Sequence, residues 1–121
     1  MDIKLGQERL EAYFRTFNAS DEAGHLACFH PEAAFFGSGS GSCKGVVAIR
    51  GVYQAAKQSL DLLEMHPLET YGVHPELAVR VEFRGRKKQF PAVLVFRFDE
   101  AGAILRLSIL YDLRKTVTEP F

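Results

Sequence analysis

The stretch LAVRVEF, residues 77–83, places an apolar side chain at every second position. Successive side chains of a β-strand point to opposite faces of the sheet, so this pattern predicts a half-buried strand. Charged residues take the alternate positions from Arg80 to Arg84, which indicates that the second face is polar. The apolar face is expected to carry Leu77, Val79, Val81 and Phe83.

Strands are also predicted at 62–73, 89–98 and 103–112, and turn signals separate all four. Strands joined by short turns pair antiparallel, because parallel pairing needs a long crossover. The third and fourth strands are apolar on both faces. A sheet of this kind has to be covered on both sides, by helices on one and by a second subunit on the other.

The first half of the chain has helical periodicity instead. Apolar residues recur at helical spacing from Ile3 to Phe17, and two further helices are predicted at 21–29 and 45–60. A short strand is predicted at 33–37 and a flexible loop at 37–42, where glycine and serine alternate. Residues 1–121 therefore form one α+β domain, with three helices and a curved antiparallel sheet.

Composition excludes several classes of protein. Fifteen basic residues balance fifteen acidic ones among 121 residues, so no electrostatic footprint for nucleic acid or a membrane surface is expected. No apolar run approaches the ~18 residues of a membrane span. The chain starts without the pattern of a signal peptide, and Cys28 and Cys43 are read as reduced thiols in a cytoplasmic protein. A net charge of zero also favours a homodimer.

Several segments together resemble one known family. They are Tyr13-Phe14 followed by Asp21, the segment FHPEA at 29–33, the segment KGVVAIRGVY at 44–53, and Phe96-Arg97-Phe98 before Ala101-Gly102. This order is similar to the nuclear-transport-factor-2-like superfamily, in particular its SnoaL-like and ketosteroid-isomerase-like members. The resemblance covers nearly the whole chain and implies a cystatin-like, cone-shaped α+β barrel. It leaves the activity open, because one fold hosts many functions.

The same resemblance implies where ketosteroid isomerase chemistry would lie. Tyr13 matches the oxyanion-hole tyrosine of the first helix. The general-base aspartate would fall near Phe36 or Gly37, and the second oxyanion-hole acid at Leu94, and none of these three has an ionisable side chain. That chemistry needs both carboxyl groups, so ketosteroid isomerase activity is not expected.

Other candidates for chemistry are few. Glu64 and His66 lie two residues apart in a predicted strand and share one face, where they would form an acid/base pair if that face were concave. They would be ordinary surface residues if it were not. Tyr13 similarly has two interpretations, a core residue or a donor to a ligand carbonyl. No cofactor is expected, and no metal site either, because two ligands on one face are too few.

The leading hypothesis is an apolar cavity that binds a small hydrophobic or aromatic molecule. The predicted lining consists of Tyr13, Phe14, Phe17, Phe36, Val79, Val81, Leu94, Phe96, Leu107, Ile109 and Tyr111. A second hypothesis is an isomerase or dehydratase that uses Tyr13 with Glu64 or His66. A third is a non-catalytic assembly domain that binds a protein partner through the outer sheet face.

Overall fold

The computed structural model describes residues 3–37, 41–58, 62–86, 88–111 and 117–118. Its helices are α1 (Ile3–Asn18), α2 (Glu22–Leu26) and α3 (Val46–Gln58). Its strands are β1 (Phe29–Gly37), β2 (Gly41–Lys44), β3 (Leu62–Val73), β4 (Glu76–Gly85), β5 (Lys88–Phe98), β6 (Ile104–Tyr111) and β7 (Val117–Thr118). The predicted end of the third helix, residues 59–60, and the predicted last residue of the fourth strand, Asp112, lie outside the described residues.

The strands form one sheet in the order β2-β1-β6-β5-β4-β3, with β7 paired to β5. The prediction of a purely antiparallel sheet is wrong, because β1 pairs parallel with β6. Most of the chain lies between these two strands and provides the long crossover that parallel pairing requires. The edge strands β2 and β3 do not pair with each other, so the described sheet is a curved, open cone instead of a closed barrel.

The glycine-serine segment is only partly the predicted loop. Residues 38–40 lie outside the described part of the chain, but Gly41–Lys44 form β2, which pairs antiparallel with β1. β1 itself starts at Phe29, four residues earlier than predicted. None of the described helices combines the length and apolar composition that crossing a membrane requires.

The inner, concave face of the sheet holds the core. The predicted orientation of residues 77–83 is confirmed, since Leu77, Val79, Val81 and Phe83 are buried and the charged residues of β4 point outward. Leu94 and Phe96 of β5 pair with Val79 and Leu77 on the same face, and both are fully buried. Helix α1 covers this part of the face with side chains that are also buried, Leu10, Tyr13, Phe14 and Phe17.

An aromatic junction joins the three helices to the sheet. The Tyr13 ring lies edge-on to Phe96 of β5 at 5.0 Å and 4.5 Å from His25 of α2, measured between ring centroids. The His25 ring also contacts Tyr53 of α3 at 5.3 Å and Phe29 of β1 at 5.9 Å. Each aromatic pair contributes about 0.5–1.5 kcal/mol beyond the area it buries. This junction fixes the positions of the helices above the concave face.

The end of α1 also protects an edge of the sheet. Asn18 Nδ2 donates to the Met65 carbonyl at 3.0 Å, and the Met65 N–H donates to Asn18 Oδ1 at 2.8 Å. The amide side chain thus occupies the backbone groups of β3 that another strand would otherwise pair with. Pro67 follows two residues later and has no N–H to offer. Exposed strand edges favour aggregation, so this arrangement protects β3 against pairing with a strand of another chain.

We expect Asn18→Ala to lower the free energy of unfolding by about 1–3 kcal/mol, because two hydrogen bonds are lost and Met65 is left with unpaired backbone groups. Hydrogen exchange of the Met65 amide should become faster. Asn18→Asp keeps the acceptor for the Met65 N–H and should retain most of that protection. Urea unfolding and native-state hydrogen exchange measure both effects. Unchanged Met65 exchange in Asn18→Ala would show that the side chain does not protect this edge.

Candidate functional site

The side chains beneath α1 are almost completely buried, whereas several apolar side chains on and around α3 are only partly buried. Helix α3 contacts β1 and β2 at one edge of the sheet and β3 at the other. Several apolar side chains of this helix and of the inward face of the strands pack against the core yet remain only partly buried. They are Cys43 of β2, Val46, Val52 and Ala56 of α3, Phe90 of β5 and Ile109 of β6. We call this set of side chains the α3 opening.

Polar groups are scarce inside the cone. Among the described residues, the buried polar side chains are Thr16 and His25, and neither is a carboxylate. The thiol of Cys43 is the polar group of the α3 opening, and burial raises its pKa. A thiol with a raised pKa is protonated near neutral pH and is a poor nucleophile. The described interior is therefore apolar and offers no carboxylate as a base.

Tyr13 lies deep in the aromatic junction. Its side chain is 2% exposed, and its ring contacts His25, Phe29 and Phe96. Burial raises the pKa of its hydroxyl, and the nearby Cys28 adds to the shift. The hydroxyl thus stays protonated and able to donate. The surroundings of Tyr13 are those of a core residue, and its role as a ligand donor stays a prediction.

Glu64 and His66 lie on the outer face of the sheet. Their strand partners are Arg84 and Glu82, whereas Met65 between them pairs with Phe83 on the inner face. The side chains do meet, with His66 Nε2 3.2 Å from Glu64 Oε1 and 3.1 Å from Arg84 Nη1. The sheet separates this group from Tyr13. The structure therefore does not bring together the proposed catalytic set of Tyr13 with Glu64 or His66.

The predicted cavity lining divides into three groups. Phe14, Phe17, Val79, Val81, Leu94, Phe96 and Leu107 face inward and are almost completely buried, and Ile109 lies in the α3 opening. The prediction for Phe36 is wrong: it pairs with Ser108 on the outer face and is 45% exposed, and Phe35 points inward in its place. Tyr111 pairs with Ala92, but its side chain lies outside the described part of the structure.

A cleft of about 380 Å³ lies on the other side of α1, between this helix and β3. Its lining residues are Gln7, Leu10, Glu11, Phe14, Arg15, Asn18, Pro67 and Thr70. Leu10 and Phe14 form its floor, but each is only 6% exposed and offers little apolar surface. The rim carries the Glu11–Arg15 ion pair at 3.6 Å. The cleft is polar at its rim and thus differs from the apolar α3 opening.

His25 is the buried polar residue whose importance the sequence did not reveal. Its Nδ1 lies 3.1 Å from the Tyr13 carbonyl and 3.1 Å from Thr16 Oγ1. A carbonyl only accepts, so Nδ1 carries the hydrogen, and Thr16 directs its own hydrogen to the Ala12 carbonyl at 2.7 Å. Burial lowers the pKa of His25 to about 4, despite the opposing hydrogen bond to Tyr13. The imidazole is therefore neutral near pH 7.

One local signal pointed to this position. The second helix was predicted to begin at residue 21, and Asp21 caps it by accepting from the Gly24 N–H at 3.0 Å. The cap fixes a short helix, Glu22–Leu26, from which the His25 ring contacts the Tyr13, Tyr53 and Phe29 rings. Within the described residues, no three His, Cys, Asp or Glu side chains come together as metal ligands.

Comparison with known proteins agrees with this geometry. The family model of the SnoaL-like domain matches residues 10–107, which is most of the chain. The chain belongs to the SnoaL-like domain family. This family is part of the nuclear-transport-factor-2-like superfamily, so the predicted membership is confirmed. A search of curated protein sequences gave no significant match.

Solved structures share the SnoaL-like fold. A polyketide cyclase candidate from Sinorhizobium meliloti is 26% identical, with a TM-score of 0.77 over 85% of this chain and 94% of that one. An epoxide hydrolase/cyclase-like enzyme of pyran ring formation in salinomycin is 18% identical, with a TM-score of 0.85 over 97% and 98%. A Mycobacterium tuberculosis protein in complex with estradiol-17beta-hemisuccinate is 18% identical, with a TM-score of 0.78 over 93% and 98%. At 18% identity the likeness shows the fold alone.

Buried His25 makes the stability of this SnoaL-like domain depend on pH. Its pKa falls from 6.5 to about 4 on folding, so the unfolded chain takes up the proton first as the pH drops. This contribution is complete above pH 6.5 and declines as the pH falls through the window down to about 4. The free energy of unfolding should decrease there by about 3 kcal/mol from this residue.

His25→Asn isolates this contribution, because an asparagine amide can still donate to the Tyr13 carbonyl but does not titrate. Urea unfolding between pH 7 and pH 4 should give a shallower pH dependence for this variant than for the wild type. Phe29→Leu serves as the control, since it weakens the same junction without removing a titrating group and should keep the wild-type slope. Equal slopes for His25→Asn and the wild type would contradict the assignment.

Proposed function

We propose that this domain binds a small hydrophobic or aromatic molecule in the α3 opening. The observation that carries the proposal is a set of inward-facing apolar side chains that the fold leaves partly uncovered beneath α3, while those beneath α1 are closed. Ligand sites are usually concave and mostly apolar, with a few polar groups that fix orientation. Cys43 is such a group at the edge of the opening.

Related folds support the class of ligand. The Mycobacterium tuberculosis protein holds a steroid ester, and the salinomycin enzyme acts in the formation of a pyran ring in a polyether. A steroid and a polyether both have a large, mostly hydrocarbon skeleton. We extend only this common chemistry to the present chain, so the proposed ligand is a polycyclic or polyketide-like molecule.

Binding is favoured over catalysis because of what the described interior lacks. Proton transfer on a carbonyl compound needs a base within hydrogen-bond reach of its substrate. Glu64 and His66 lie on the outer face, and the buried His25 is a weak base with a pKa of about 4. An isomerase or dehydratase using Tyr13 with Glu64 or His66 is therefore not our proposal.

Two further properties belong to the proposal. We propose a homodimer, because apolar side chains such as Phe36 and Leu110 are 45% and 55% exposed on the outer face of the sheet. Large apolar side chains clustered on a surface indicate an interaction site. We also propose a cytoplasmic location, on the basis of two cysteines that occur as free thiols.

Val52→Phe should lower the affinity for an apolar ligand at least tenfold, because the larger side chain fills the α3 opening. Isothermal titration with estradiol-17beta-hemisuccinate, and with a panel of aromatic polyketides, measures the effect. Val47→Phe is the matched control, since Val47 lies on the same helix but is 84% exposed. It should bind as the wild type does.

Two results would contradict the proposed site. One is equal loss of affinity in the Val52→Phe and Val47→Phe variants, which would mean that binding does not depend on the inward side of α3. The other is a wild-type protein that binds no member of the panel and carries no small molecule when native mass spectrometry is applied to freshly purified material.

A further inference from the structure

Four ionisable side chains occupy the corners of a square on the outer face of the sheet, where β3 and β4 run side by side. Strand register places Glu64 opposite Arg84 and His66 opposite Glu82. Along each strand, one buried and inward-facing residue separates the two corners. We call these four side chains the outer square.

One nitrogen of the outer square makes two contacts that cannot both be hydrogen bonds in a single protonation state. His66 Nε2 lies 3.1 Å from Arg84 Nη1, which only donates. The same atom lies 3.2 Å from Glu64 Oε1, and an ionised carboxylate only accepts. The first contact requires a lone pair on Nε2, whereas the second requires a hydrogen there. The protonation of His66 therefore determines which of the two side chains it binds.

Without a hydrogen on Nε2, the diagonal of the square from Arg84 to His66 is a hydrogen bond. Arg84 donates through Nη1 to His66 of β3 and through Nε to Glu82 of its own strand. The guanidinium thus links the two strands. Glu64 then faces a nitrogen lone pair and gains no hydrogen bond from His66.

A proton on His66 reverses these preferences. Nε2 then carries a hydrogen that Glu64 can accept, and the positive imidazolium repels the Arg84 guanidinium. The charges around the outer square now alternate in sign, because Glu64 and Glu82 are negative and occupy opposite corners. Every side of the square joins opposite charges, which is favourable across paired strands, and every diagonal joins like charges. An imidazole ordinarily changes its charge between pH 5 and pH 8.

The other charges around the outer square are the same in both states of His66. Lys57 of α3 interacts electrostatically with Glu64, and Arg86 follows the end of β4. The next row of the outer face is formed by Glu69 and Arg80, which pair with each other. The residues of β5 that pair with this part of β4 are uncharged, Gln89 and Pro91. A change of partners in the square therefore follows from His66 alone.

We propose that the outer square is a pH-sensitive switch, in which protonation of His66 breaks its hydrogen bond with Arg84 and joins it to Glu64 and Glu82 instead. Arg84 then remains with the two carboxylates. The switch exchanges the side-chain links between β3 and β4 and adds one positive charge to the outer face. It operates within one chain, so it depends neither on the proposed ligand nor on the proposed homodimer.

Double-mutant cycles at two pH values test the exchange of partners. Urea unfolding of the wild type, His66→Ala, Arg84→Met and the double variant gives the coupling energy between the two side chains. This coupling should be favourable at pH 8 and unfavourable at pH 5.5. A cycle of His66→Ala with Glu82→Ala should show the converse, with a favourable coupling that develops only at pH 5.5. His25 is present in every variant, so its own titration cancels within each cycle.

Nuclear magnetic resonance of the wild type gives a second test that needs no variant. Long-range proton–nitrogen spectra should show His66 with a hydrogen on Nδ1 alone at pH 8 and on both ring nitrogens at pH 5.5. The Arg84 Nε–H signal should shift along the same titration curve. Arg80 is the matched control on the same strand and face, since its Nε donates to Glu69 at 3.0 Å. Its signal should not follow the titration of His66.

Four results would overturn the proposal. The first is a coupling energy between His66 and Arg84 that is equal at the two pH values, and the second is a hydrogen on His66 Nε2 at pH 8. The third is an Arg84 Nε–H signal that does not move while His66 titrates. The fourth is an equal movement of the Arg80 signal, which would mean that the whole face responds to pH instead of the outer square.

Discussion

Contact between the Tyr13 ring and the Phe96 ring, at 5.0 Å, fixes α1 to the middle of the concave sheet. The same tyrosine contacts His25 of α2, and His25 contacts Tyr53 of α3, so the positions of all three helices depend on this group of rings. Protein interiors are closely packed and shift little, which makes such a junction rigid. The junction also contains a buried polar atom, His25 Nδ1, which requires a hydrogen-bond acceptor. It donates to the Tyr13 carbonyl and Thr16 Oγ1.

The junction also determines which apolar side chains of the cone are completely buried. Rings fill the cone beneath α1, and Leu94 and Phe96 are fully buried there. Open apolar surface therefore remains beneath α3, at Val52, Ala56 and Ile109. A hydroxyl at Tyr13 lies on the closed side of this division. The residue that looks most like a catalytic donor thus stabilises the core, while the ligand site is assigned to residues with no chemistry of their own.

Local patterns predicted most of the fold, and long-range pairing accounts for what they missed. The alternation of apolar and polar residues predicted the bounds of β3, β4, β5 and β6 to within a few residues. A strand with one buried face has an apolar residue at every second position, and this pattern is visible in the sequence. The parallel pairing of β1 with β6 has no comparable local pattern in the sequence, since the two strands are far apart along the chain. β2 was missed because Gly41 and Ser42 favour turns, and its pairing with β1 overrides that preference.

The candidate site was harder to predict because it depends on which face each strand presents. A shift of one residue moves a side chain to the opposite face, and this is the error at Phe36, where Phe35 is the inward residue. For Glu64 and His66 the sequence showed that they share a face but not which one. Pairing of Met65 with Phe83 turns Met65 inward and both polar residues outward.

The charged residues of the sheet lie on its outer face because burying a charge costs free energy. A carboxylate at Leu94, which is fully buried, would lose its hydration and be forced towards its neutral form. Such an acid is useful where it donates to a developing enolate, and it destabilises the domain where no such chemistry occurs. The present chain has an apolar residue there and carries ion pairs such as Arg80 with Glu69 on the outer face, where water can solvate them. One sheet can therefore present an apolar inner face and a charged outer face, because alternation keeps the two sets of side chains apart.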